Sequence, residues 1–102
     1  MKSKRTKATD IPQKVKKIVW ERDNHCCVIC GNNYNVMPNA HYIPRSKGGL
    51  GIEQNVFTAC TRLTKNDCHY KFDNYNIGKK KVIKHFKSIY PDWNENDLYY
   101  KK

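Results

Sequence analysis

A chain of 102 residues, 38% of them hydrophobic, has room for one domain with a small core, so apolar burial alone leaves a marginal fold and a further staple is expected. Twenty Lys and Arg against nine Asp and Glu give a formal net charge of +11, which suits a polyanionic partner. Nucleic acid fits better than a membrane surface, because no stretch pairs a basic face with a broad apolar one, and a purely solubilising surface is the plain alternative.

Residues 1–9 carry Lys2, Lys4, Arg5 and Lys7 without a large apolar residue after Met1, and read as a disordered basic arm. Neither this arm nor any later stretch has the apolar run of a signal peptide or a membrane span, so a cytoplasmic protein with reduced thiols is expected. The first helix is predicted from about Asp10 to Asp23 and Asn24, with Pro12 in its first turn and Ile11, Val15, Ile18, Val19 and Arg22 at helical spacing. The stretch CCVICGNNY follows, where Cys27 and Cys30 bracket two apolar residues and Gly31 permits a tight knuckle.

Two extended segments, NAHYI and NVFTAC, joined by a glycine-rich loop, read as an antiparallel pair. A short helix is predicted over 64–75, with Thr64 or Asn66 as cap and Cys68, Phe72 and Tyr75 on one face. A last helix over 79–90 would bury Val82, Ile83, Phe86, Ile89 and Tyr90 before Pro91 stops it, and Asn94 would cap a final turn carrying Leu98. There is no internal repeat and no linker long enough to separate domains.

Cys27, Cys30, Cys60 and Cys68 form C-x2-C, then 29 residues, then C-x7-C. Four thiolates can close a tetrahedral zinc site that adds folding free energy where the core cannot. A disulfide framework is the competing arrangement, disfavoured where thiols stay reduced. Cys26 is surplus, and His25 and His85 read as surface residues.

His41, Asn55 and His69 are evenly spaced, with thirteen residues in each interval. Zinc at the hairpin–helix junction would bring the two histidines together. An imidazole that is not a metal ligand can deprotonate water near neutrality, and His69 and Asp73, at i and i+4, share a helical face that could hold a cation. His69 as a zinc ligand and Asp73 as the partner of a lysine are the competing readings.

The segments AHYIPRSKGG, Asn55 and Cys68–His69 together resemble the three parts of the HNH endonuclease motif, in its zinc-containing, bacteriophage-type form. The resemblance covers the chain from VWERDNHCCVICG to CHYKFDNY. It implies an α+β fold with a ββα-metal (His-Me finger) core, a structural zinc and flanking N- and C-terminal helices, as one nuclease domain over 10–102. It implies a DNA endonuclease that hydrolyses phosphodiester bonds, with His41 as general base, Asn55 bracing the loop, and His69 and Asp73 binding a catalytic Mg2+ or Mn2+. Arg45 and Lys47 from the loop, and Lys14, Lys17, Lys80 and Lys84 on the outer helices, would contact DNA phosphates; phage DNA-packaging proteins are family-based partners. Two departures stand out: many members place a cation ligand where this chain has Ala40, and CTRLTKNDCH is longer than the usual CxxCH. A nonenzymatic zinc-stabilised nucleic-acid-binding module is the rival function, and an adaptor docking on an acidic protein a third.

Overall fold

The computed structural model describes residues 3–61 and 63–101. It is an α+β arrangement of four helices, α1 (Lys4–Thr9), α2 (Gln13–Arg22), α3 (Cys68–Tyr75) and α4 (Lys79–Ile89), around one antiparallel pair, β1 (Val36–His41) and β2 (Val56–Cys60). Pro12 holds Ile11 extended, so α2 begins three residues after the predicted start. In α3 the delay is four residues, because the Thr64 hydroxyl accepts from Asp67 N–H and turns the chain before Cys68. The final single turn, Glu95–Asp97, is capped as expected, Asn94 accepting from Asn96 N–H at 2.9 Å.

The N-terminal segment corrects the expectation of a disordered arm. Ser3 caps α1, Arg5 donates to the Ser46 carbonyl at 3.0 Å, and the Ala8 carbonyl accepts from Gly51 N–H at 2.9 Å. A six-residue helix is too short to persist alone, and these tertiary bonds supply what propensity does not. Lys2 of the expected arm lies outside the described residues.

β1 and β2 pair Val36 with Cys60, Met37 with Ala59, Ala40 with Phe57 and His41 with Val56. The register shifts between Met37 and Ala40, so Pro38 and Asn39 together face Thr58. Pro38 has no N–H to offer, and Thr58 takes its partners elsewhere: its N–H donates to Asp23 Oδ2 at 2.9 Å and its carbonyl accepts from Val28 N–H at 2.9 Å. The main core runs from the cysteine knuckle through Phe57, Phe72, Val82 and Phe86 to Leu98, with Phe57 and Phe72 edge to face at 5.0 Å. Val15 and Val19 of α2 bury a second cluster against Val56. Of the predicted apolar faces, Ile18, Tyr75 and Ile89 remain exposed.

A buried ionic group ties α2, β2 and α4 together. Asp23 binds Arg22 Nε at 2.7 Å and His85 Nε2 at 2.7 Å, while Arg22 also donates to the Glu53 and Val56 carbonyls. His85, expected on the surface, is therefore a half-buried partner of a carboxylate whose side chain is 0% exposed. Burial pushes the Asp23 carboxyl up, but bonds from His85, Arg22 and Thr58 outweigh it and hold its pKa below the ordinary 3.8. The stability this provides is present above that value and is lost as pH falls through the lowered one. Asp23→Ala should strand the Arg22 charge and the Thr58 N–H, costing about 3–5 kcal/mol and lowering the melting temperature by about 12 °C or more. Calorimetry of the two proteins checks this, and equal melting temperatures would contradict it.

Candidate functional site

The loop between β1 and β2 is held from three sides. Fully buried Asn55 accepts from Ile43 N–H at 2.8 Å through Oδ1 and donates to the Ile43 and Leu50 carbonyls at 3.1 and 2.8 Å through Nδ2. The C-terminal segment pairs along the other edge, Leu50 N–H donating to the Leu98 carbonyl and Tyr100 N–H to the Gly48 carbonyl. From the third side α1 closes over Gly51. This packing accounts for the glycines. A Cβ on Gly49 would sit 1.7 Å from the Ile43 carbonyl oxygen, and one on Gly51 1.8 Å from that of Asp10. Asn55→Ala would leave the Ile43 N–H and two buried carbonyls without partners, and should cost about 2–4 kcal/mol in chemical denaturation.

Beside this loop lies a cleft of about 1220 Å3, lined by His41, His69, Asp73, Arg45 and Lys47 among others. The two histidines, far apart in sequence, thus face one space. His41 ends β1 and is nearly buried, with Nε2 3.0 Å from the Thr9 carbonyl oxygen. A carbonyl only accepts, so Nε2 carries the hydrogen and Nδ1 is left with a lone pair. Burial, with the Arg45 and His69 charges, lowers the His41 pKa below the ordinary 6.5 against the opposing effect of the Thr9 carbonyl. The shift favours the neutral form of the ring.

On α3, His69 Nε2 lies 3.1 Å from Asp73 Oδ2, so the two residues predicted to share a helical face do meet. Asp73 pairs with His69, not with a lysine, and His69 faces the cleft, where it takes no part in the cysteine group. Arg45 projects from the turn after Pro44 and is paired with Asp10. Lys16 and Lys79 also line the cleft, whereas Lys14 and Lys17 on α2 and Lys80 and Lys84 on α4 are exposed outside it. Ala40 is fully buried against Phe57, so the side chain before His41 belongs to the core.

The sulfurs of Cys27, Cys30, Cys60 and Cys68 all lie within 4.8 Å of one another and could hold one metal ion. A tetrahedron with metal–sulfur bonds of about 2.3 Å has sulfurs about 3.8 Å apart, so the donor set fits zinc. The four come from the knuckle, the end of β2 and the first residue of α3, and the long 61–67 connection turns on Thr61 and Thr64 to bring Cys68 in. Burial raises the Cys60 and Cys68 thiols, and neighbouring sulfurs add to it. At Cys30 burial is outweighed by hydrogen bonds from the Asn32 backbone and from Cys60, Asn66 and Cys27, giving a pKa of about 7. So dense a group ionises fully only around a cation. Cys26, the surplus thiol, bonds the Asn24 carbonyl and stays outside the cluster.

Sequence reasoning missed the contribution of α1. Thr9 acts through its backbone carbonyl and Asp10 through a pairing 35 residues away, and neither leaves a local pattern to read. No helix among the described residues is long and apolar enough to cross a membrane. No family model, curated protein or solved structure matches this chain.

Proposed function

We propose that the protein is a metal-dependent DNA endonuclease of the HNH type, with a ββα-metal core in which β1, β2 and α3 form the catalytic unit and zinc in the four-cysteine group is structural. The observation that carries the reading is His41, fixed by the Thr9 carbonyl, lining one cleft with His69, Asp73 and Arg45. Each feature alone has a structural use. Their convergence on one basic-rimmed space has a chemical one.

His41 Nδ1 accepts a proton from water, whose oxygen forms the new bond to phosphorus while the bond from phosphorus to the 3′ oxygen breaks. The products are a 5′ phosphate and a 3′ hydroxyl, the leaving oxygen taking its proton from solvent. A Mg2+ or Mn2+ ion held by His69 and Asp73 would supply charge stabilisation for the phosphate and the leaving oxygen. Arg45 and Lys47 bind neighbouring phosphates, and Asn55 keeps the loop that carries them in register with His41. The Thr9 carbonyl stabilises the imidazolium that forms and holds the ring's orientation. Lysines on α2 and α4 extend the contact along the backbone, so affinity falls steeply with salt.

Plasmid nicking tests the reading. Cleavage should require Mg2+ or Mn2+ and vanish with EDTA. DNA binding that is salt-sensitive but never accompanied by cleavage, across divalent cations, would establish the nonenzymatic zinc module instead.

A further inference from the structure

The shift of register in β1 turns Pro38 and Asn39 against a single residue of β2, and such bulges re-aim side chains at the edge of a site. Asn39, two residues before His41 on β1, lines the same cleft as His41, His69 and Asp73. Its Oδ1 is buried and has no hydrogen-bond partner. A buried amide oxygen without a donor is costly, and in a native fold it calls for a partner outside the protein chain.

Two features say what that partner is. The cleft also presents His69 Nε2 and Asp73 Oδ2, 3.1 Å apart, a nitrogen and an oxygen suited to a hard divalent ion but too few to hold one. The residue directly before His41 offers nothing, since Ala40 is buried in the core. An amide carbonyl oxygen is a regular ligand for Mg2+ and Mn2+.

We propose that Asn39 Oδ1 is a third protein ligand of the divalent cation in this cleft, completing a set with His69 and Asp73. This inference rests on the nuclease reading for the cation's role, though not for its binding.

The test is direct titration of Mn2+ into the zinc-loaded, full-length protein, with free Mn2+ followed by electron paramagnetic resonance. Asn39→Ala should weaken Mn2+ binding by about tenfold or more, as should His69→Ala, with zinc content and melting temperature retained. Asn39→Asp, which exchanges a neutral ligand for a charged one, should tighten binding, and it decides the matter if the alanine variant fails to fold. Unchanged affinity in the folded Asn39 variant, or no Mn2+ binding by the wild type, overturns the proposal. Plasmid nicking separates the two readings. Cleavage that depends on His41 alongside unmoved Mn2+ affinity in Asn39→Ala removes this inference alone; weakened Mn2+ binding in Asn39→Ala with no cleavage by the wild type removes the nuclease reading alone.

Discussion

Stripping the metal from the four-cysteine group with a strong chelator is expected to unfold the protein. Structural zinc in small domains contributes roughly 10–16 kcal/mol of binding free energy, which equals or exceeds the total stability of about 5–15 kcal/mol usual for a native fold. The effect should be large here because the sulfurs come from three separate places, the knuckle, the end of β2 and the start of α3. Cys27, Cys60 and Cys68 also belong to the main core, so loss of the ion would remove the bonds that tie these segments together there and leave only neutral thiols. Cys30→Ser should act in the same direction and lower metal content below one ion per chain. Circular dichroism during chelation, with zinc release followed by a chromophoric chelator, measures both. A metal-free protein that keeps its full helical signal and cooperative melt would remove the staple and, with it, the reason α3 sits where it does.

For His41→Ala the expected result is loss of nicking by about a hundred- to ten-thousand-fold, with DNA binding and fold retained. The ring is buried at the end of β1, and alanine there strands a single acceptor, the Thr9 carbonyl. The pH dependence has a definite sign. Because the folded-state pKa is below 6.5, His41 stays neutral, and cleavage should persist as pH falls past that value before its acid limb is reached. The same shift makes the unfolded chain the better proton acceptor, so stability declines as pH drops below 6.5. A rate profile with its acid midpoint above 6.5, or a variant that cleaves like the wild type, would contradict the assignment of His41 as base.

Local pattern was enough for the elements whose signals are local. The 3.6-residue spacing of Val15 and Val19, and of Val82 and Phe86, marked two helices; C-x2-C with Gly31 marked the knuckle; and His69 with Asp73 marked one helical face. Asn55 was legible as a brace through its family resemblance, and its three hydrogen bonds to the loop are those of a brace. The bounds of α2 and α3 were less legible, since Pro12 and the Thr64 turn displaced starts that periodicity alone placed earlier.

What tertiary structure decided has a common physical cause. Backbone carbonyls and N–H groups are the same at every residue, so a bond such as Thr9 to His41 or Ala8 to Gly51 carries no sequence signature, and a basic segment that looks unstructured becomes α1. The burial of Asp23 with His85, 62 residues apart, likewise depends on packing that no short window contains. Residue types and their spacing therefore determined the chemistry available to this chain, four thiols, two histidines and a braced glycine loop, while long-range packing decided which of them share a space and which carbonyl holds His41.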